Sequence, residues 1–417
     1  MKVNSVLNEV LENVKPRDEE IKEFEKILKE FITDLRKRIK KSKLKVEVSV
    51  GGSFAKKTIM KKDMYDIDIF LRFDKKYEDI SKLSEKLLRG IKKTKIHGSR
   101  DYFNVKMNPY LFLEIIPVTK VKKPEEAKNI TDLSFFHVNY VNKRFPKKVL
   151  NEIILTKSFC HANNCYGAES YIKGFSGYGL ELLVYHYKSF LKFVKEMSKV
   201  KDKVIIDTDK KFKNKQEILF NLNSSKLQSP IVLIDPTYKQ RNALAGLSQQ
   251  TLDKFKENCK KFLKNPSGDF FEEKDIKQEL ERKYKDKLNI LTIKTSKQPG
   301  DIAGTKSKRF FEFFVSRLEK EFKIKVNEFD YNEKKNIANL YFVVNKKKEE
   351  IKKGPPVTAV HNLTRFKKAH KNAFIKKHIA YAKIKHDLNL NQFMKIFLRK
   401  DKKIIKEMCV KKVELIT

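Results

Sequence analysis

The stretch DIDIFLRF at 66–73 restricts this chain more than any other. Its strict alternation is that of a β-strand, which puts Asp66, Asp68 and Phe70 on one face and Ile67, Ile69 and Leu71 on the other. Two carboxylates held side by side repel and raise one another's pKa unless a cation lies between them, so the pattern points to a divalent metal. Mg²⁺ suits such donors, because it takes carboxylate oxygens and fills its remaining positions with water and phosphate oxygens. The strand therefore reads as a site of phosphate chemistry.

Two further features sharpen that reading. The turn Gly51-Gly52-Ser53 precedes Asp66, with Ser53 thirteen residues upstream. Backbone N–H groups at a small-residue turn entering a helix can hold a triphosphate, with the serine hydroxyl as an added donor and Lys56 and Thr58 extending the cradle. Glu114 is the one charged side chain of LFLEIIPV (111–118), an apolar strand where a bare carboxylate is costly and a metal removes the penalty. A third acid on a neighbouring strand is what two-metal phosphoryl transfer requires. Taken alone, Glu114 would also fit an edge-strand acid facing solvent or paired with lysine. The combination resembles the nucleotidyltransferase superfamily that includes DNA polymerase beta.

Charge supports a polyanionic partner. The chain carries 94 Lys and Arg against 53 Asp and Glu, a formal net charge of +41. Such an excess favours RNA, DNA or an anionic membrane, although only 13 of the cations are Arg, and so strong a lysine bias also fits solvated faces. No run approaches the roughly eighteen apolar residues of a membrane span, and the amino terminus lacks an apolar leader core, so a soluble cytoplasmic protein is expected. Four cysteines are too few and too scattered for a disulfide framework. Cys160 and Cys165 in CHANNC lie five apart at a helix end and face different sides, so no zinc site is expected there.

Along the chain, 4–14 and 17–42 predict helices separated at Pro16. Residues 45–50, 66–73 and 111–118 predict strands, and 77–90 another helix. The first 145 residues thus form a small mixed domain. Helical spacing runs from 148 to 198, interrupted by YIKGFSGYG (171–179), and 248–264 is a helix capped by Ser248. Strand, helix, strand and strand are expected at 286–295, 307–322, 323–331 and 338–345. Phe310, Phe311, Phe313 and Phe314 are expected to pack a core rather than stack on RNA. Gly354-Pro355-Pro356 is read as a chain break, with a basic, mostly helical remainder whose stretch 366–386 has helically spaced apolar residues.

The blocks NITDLSFFHVNYV (129–141), KSFCHANNCYGAESYIKGFSGYGLELLVYHYKSF (157–190) and DPTYKQRNALAGLS (235–248) narrow the superfamily further. They resemble the archaeal type, class I, of CCA-adding tRNA nucleotidyltransferases over about residues 5–265, with a looser match at KGPPV (353–357). The resemblance implies an α+β multidomain fold with a polymerase-beta-like head at 1–145, a neck and central domain at 146–265, a tail module at 266–355 and a basic body segment at 356–417. It further implies a homodimer that binds the tRNA acceptor end and adds C, C and A without a template, using CTP, ATP and two Mg²⁺ ions. The family's metal carboxylates fall on Asp66, Asp68 and Glu114, and its nucleotide-binding positions on Gly52, Ser53, Lys56, Thr58, His137, Lys157, Tyr166 and Arg241. Lys56 stands where relatives typically carry arginine, which keeps the charge and loses the bidentate fork. The first and third carboxylates are more often glutamate and aspartate. A poly(A) polymerase, another terminal nucleotidyltransferase or a non-catalytic RNA-binding homologue are the alternatives.

Overall fold

The computed structural model describes residues 3–98, 100–296 and 300–416. The chain divides into two compact units, Met1–Glu273 and Lys274–Thr417.

The first unit opens with α1 (Val3–Val14) and α2 (Asp18–Ser42), separated around Pro16 as predicted. Asp18, Glu19 and Glu20 in the first turn of α2 complement the helix dipole. Next come β1 (Val46–Val50), α3 (Gly52–Ala55), β2 (Tyr65–Phe73), α4 (Ile80–Leu87), β3 (Thr94–Ile96), β4 (Tyr102–Asn108) and β5 (Leu111–Thr119). Strands β3 and β4 were not foreseen: the first is three residues long, and in the second only Phe103 and Val105 are buried. The sheet runs in the order β1-β2-β5-β4-β3, with β2 and β5 parallel and the other neighbours antiparallel.

One face of this sheet is a core. Phe24, Leu28, Leu35 and Ile39 form the inner stripe of α2 and join Ile80 and Leu87 of α4 over Ile67, Ile69, Leu71, Leu113 and Ile115. Burying that stripe leaves the opposite face, with Asp66, Asp68 and Glu114, available for chemistry.

A helical block follows, α5 (Ser134–Arg144), α6 (Lys147–Ala162), α7 (Gly177–Tyr187) and α8 (Phe190–Lys199). Residues 153–160 of α6 and 178–184 of α7 are buried without interruption, so these stretches of the two helices are enclosed on every side. The rest of the unit comprises β6 (Val204–Ile206), α9 (Lys215–Asn221), α10 (Ser224–Leu227), β7 (Ile231–Asp235), β8 (Tyr238–Asn242) and α11 (Gln249–Lys264). Ser248 caps α11 as expected, its Oγ accepting from Thr251 N at 3.1 Å. Phe159, Phe175, Phe190, Phe193, Phe255 and Phe262 form the aromatic centre of this block, and Cys160, Cys165 and Cys259 are buried among them.

The second unit contains α12 (Ile276–Tyr284), β9 (Asn289–Thr295), α13 (Asp301–Leu318), β10 (Phe322–Asn332), β11 (Ile337–Lys346), β12 (Glu350–Pro356), α14 (Val360–Ala369), β13 (Ala373–Lys376), β14 (Ile379–Ile384), α15 (Leu390–Lys400), α16 (Lys402–Glu407) and β15 (Val410–Ile416). Phe310, Phe311 and Phe314 of α13 are buried against the sheet β10-β11-β9-β15, with Phe313 partly buried beside them, so the phenylalanine run packs a core. Pairing of β15 with β9 puts residues on both sides of position 355 in one sheet.

Two expectations for the carboxy-terminal part fail. Gly354-Pro355-Pro356 does not break the chain but ends β12, an edge strand of the sheet β12-β14-β13 whose register with β14 shifts between Lys353 and Pro356, the kind of position where proline is tolerated. The basic stretch 366–386 is not one helix either. It holds the end of α14 and the β13–β14 hairpin, joined by Lys377 and His378. Both have positive φ, 48° and 59°, the backbone of a two-residue turn that matches strand twist.

Candidate active site

Strands β2 and β5 supply the acidic face. Their parallel register sets Asp68 opposite Glu114 and Asp66 opposite Phe112. Asp66 is exposed and paired with Lys62 at 3.5 Å, while Asp68 and Glu114 are half-buried. Burial first, and then the charge of Asp66, push Asp68 up to about 6 against the opposing influence of Lys56 and Lys62. A carboxylate in that state favours any added cation. Among the described residues no three acidic, His or Cys side chains close around an ion-sized point. The strands present carboxylate oxygens side by side instead, a donor set that fits Mg²⁺ with water and phosphate as its other ligands.

The Gly-Ser turn is packed against these carboxylates. Gly51 N donates to Asp68 O at 2.8 Å, and Gly52 has φ 62°. A Cβ at Gly52 would come within 1.6 Å of Asp68 Oδ2, so both backbone and space demand glycine. Ser53 O accepts from Thr58 N at 2.9 Å, which closes the turn on itself. On the other flank, Asn104 of β4 lies opposite Glu114. Its Oδ1 is buried with no hydrogen-bond partner among the described residues. Asn104 also lines a groove of about 660 Å³ with Lys92, Lys93, Lys106 and Phe112.

Three of the expected nucleotide-binding residues meet at an acid that sequence reading did not single out. Glu181 of α7 is fully buried. Its Oε2 accepts from Lys56 Nζ at 2.6 Å, and its Oε1 from Thr58 Oγ1 at 2.8 Å and Lys157 Nζ at 2.7 Å. Lys157 also donates to Thr58 Oγ1 at 2.9 Å and Thr58 O at 3.3 Å. Burial would raise Glu181, but Lys157 and Lys56 outweigh it and hold the carboxyl at about 2. Burial lowers Lys157 to about 8, with Glu181 supporting its charge and Lys56 and Lys62 opposing it. Tyr166 is half-buried nearby; its phenol is raised by burial and by the charges of Glu181 and Asp66.

A second buried acid, Asp235 at the end of β7, gathers the others. Its Oδ2 takes Arg241 at 2.8 Å and His137 Nε2 at 3.1 Å, and its Oδ1 takes Tyr178 OH at 3.1 Å and both Thr237 N and Oγ1. Burial lowers the pKa of His137, opposed by the Asp235 carboxylate beside it. Asp235 itself would be raised by burial but is held well below the carboxylate range by His137 and Arg241. Tyr178 joins the two groups. His137 stacks on its ring at 3.9 Å, and Lys56 and Arg241 each lie 5.7 Å from its centroid.

Glu181, Asp235, Tyr178 and Asn104 were therefore missed as site residues. A signal existed for two of them, since Glu181 and Tyr178 are polar residues in SGYGLELL, where the flanking positions are apolar or glycine. The elements that present His137 are fixed by Asp132, buried in the short 3-10 helix Ile130–Leu133 before α5, which accepts from Arg100 at 2.5 Å and from the backbone N–H groups of Thr119 and Asn129.

Comparisons with known proteins place the chain in a family. Residues 151–272 match the family described as tRNA nucleotidyltransferase, second domain. The chain is 36% identical over 335 residues to the CCA-adding enzyme of Nanoarchaeum equitans, a match covering 79% of this chain and 81% of that one. It is 30% identical over 381 residues to the CCA-adding enzyme of Pyrococcus abyssi, covering 87% and 82%. Among solved structures, a cytoplasmic RNA terminal U-transferase superposes with a TM-score of 0.50 at 14% identity, covering 66% of this chain and 99% of that one. Cid1 in complex with its short product ApU gives 0.50 at 14%, covering 66% and 98%. At that identity the likeness is one of fold, whereas the sequence matches reach further: the chain belongs to the family of CCA-adding enzymes.

Proposed function

We propose that this protein adds C, C and A in turn to the 3′ end of tRNA from CTP and ATP, without a nucleic-acid template. The observation that carries the reading is the register of Asp68 with Glu114, beside a glycine turn packed directly against the Asp68 carboxylate. Asp66, Asp68 and Glu114 would hold Mg²⁺, which supplies activation of the tRNA 3′-hydroxyl and charge neutralisation on the departing pyrophosphate. The chain's own residues bind and orient. Ser53 and the turn backbone receive the triphosphate, Lys56 adds a cation, His137 and Tyr166 line the nucleotide, and Arg241 reads the base edge. Positioning and charge, rather than covalent catalysis, are the protein's part in such a transfer.

In this reading residues 1–145 are the catalytic head, 146–265 the neck and nucleotide-reading part, and 266–355 with 356–417 the tail and body that hold tRNA. The groove beside Glu114, with Lys92, Lys93 and Lys106, offers phosphate contacts for an RNA end. The active form is a cytoplasmic homodimer.

The test is an extension assay on tRNA ending before CCA, with CTP, ATP, UTP or GTP singly and CTP with ATP together. Two additions with CTP alone and a stop after three with both are expected. Continued tailing with ATP would assign a poly(A)-type polymerase instead, and no Mg²⁺-dependent incorporation would leave an RNA-binding protein.

A further inference from the structure

The bonding around Glu181 separates two lysines that the sequence alone treats alike. Each ammonium has three N–H donors. Lys157 spends its donors on Glu181 Oε1, Thr58 Oγ1 and Thr58 O, and is fully enclosed in α6. Lys56 makes one hydrogen bond among the described residues, to Glu181 Oε2 at 2.6 Å, which leaves two N–H donors unspent. Thr58, which receives Lys157, is tied by its own N–H to Ser53, so this cluster is built onto the turn that precedes the carboxylates. Two cations share one anion, and the cluster keeps a net positive charge in a buried setting where charges act strongly.

We propose that Glu181 is the positioning residue of the triphosphate site. Its carboxylate pins the Lys56 ammonium with two donors free for a phosphate, and it ties Lys157 and Thr58 into the same cluster. This assignment rests on the nucleotidyl-transfer reading and deepens it. It also accounts for a lysine at the position where arginine is usual, since a single point charge anchored by Glu181 retains direction without a guanidinium fork. Without the carboxylate, Lys157 would face only Lys56, Lys62 and the Thr58 oxygens, and would lose its proton more readily.

The experiment compares wild type, Glu181→Gln, Glu181→Asp and the double variant Lys157→Met/Glu181→Gln, each in two measurements. One is calorimetric titration with CTP across pH 6.5–9; the other is kcat and KM for CTP on tRNA lacking CCA. Glu181→Gln is expected to weaken CTP binding about tenfold or more, chiefly through KM, and to move the alkaline loss of affinity to lower pH. Glu181→Asp is expected to recover part of both effects. The double variant removes one charge of each sign and so restores the balance for folding, yet CTP binding is expected to stay weak. Wild-type affinity and pH profile in folded Glu181→Gln, or in the double variant should the single one not fold, would overturn the assignment. A wild-type protein that binds CTP but adds no nucleotide would overturn the functional reading instead, and the titration would still decide the role of Glu181.

Discussion

Asp68 of β2 and Glu114 of β5 face one another in the parallel register of the five-stranded sheet, on the side opposite its core. Parallel pairing of two strands joined through a helix and two further strands brings together acids 46 positions apart in the chain. Replacing Asp68 with Asn keeps shape and removes the charge that a metal needs. Nucleotide addition by Asp68→Asn is expected to fall by three orders of magnitude or more, while tRNA affinity in a filter-binding assay stays within about twofold of wild type. Addition at the wild-type rate would disprove the metal role.

Gly52 should tolerate no side chain. Its φ of 62° and the 1.6 Å approach of a built Cβ to Asp68 Oδ2 mean that Gly52→Ala must displace the carboxylate, the turn or both. Strain of this kind is on the order of 1–3 kcal/mol. A drop in Tm of a few degrees, with activity reduced far more than stability, is the expected outcome of calorimetry and the extension assay. By contrast, nothing lies within 4 Å of a Cβ at Gly90, although its φ is 81°. Gly90→Ala should therefore lower Tm through backbone strain alone and leave kcat near wild type.

Asp235 holds Arg241 and His137 from one buried carboxyl. Asp235→Asn would leave the guanidinium without its charged partner, and breaking a buried pair of this kind typically costs about 3–5 kcal/mol. The base-reading role assigned to Arg241 predicts more than a stability loss. Discrimination between CTP and UTP, read as a ratio of kcat/KM, should fall at least tenfold in Asp235→Asn, whereas a purely structural role would lower both values together.

The Lys157 proton provides a pH test of the buried cluster. Its pKa is about 8 in the folded chain, below the ordinary lysine value, so between pH 8 and the unfolded value the unfolded chain binds more protons. Stability from this group must therefore rise as pH rises through that window. Urea midpoints of wild type and Lys157→Met, compared from pH 7.5 to 10.5, should show wild type gaining on the variant as pH increases. A difference that is flat or shrinks would contradict a Lys157 pKa lowered by burial in the folded chain.

Local periodicity carried much of the architecture. Alternation in 66–73 and 111–118 fixed which side chains share a face, and helical spacing with Pro16 and Ser248 as punctuation placed α1, α2 and α11, because those signals act within one element. Alternation failed where lysines fill both kinds of register. In 366–386 the apolar residues satisfy a helical stripe, and only pairing with β12 and a turn of two positive-φ residues made the segment a hairpin.

Sequence by itself therefore determined the acids of β2, the glycine turn before them and the family to which the chain is similar. Tertiary structure alone decided what the remaining site residues touch. Glu181 meets Lys56 across 125 positions, and Asp235 meets His137 across 98. No local pattern encodes a pairing at such separation. A buried carboxylate acquires its partners, its pKa and its role from the helices folded around it.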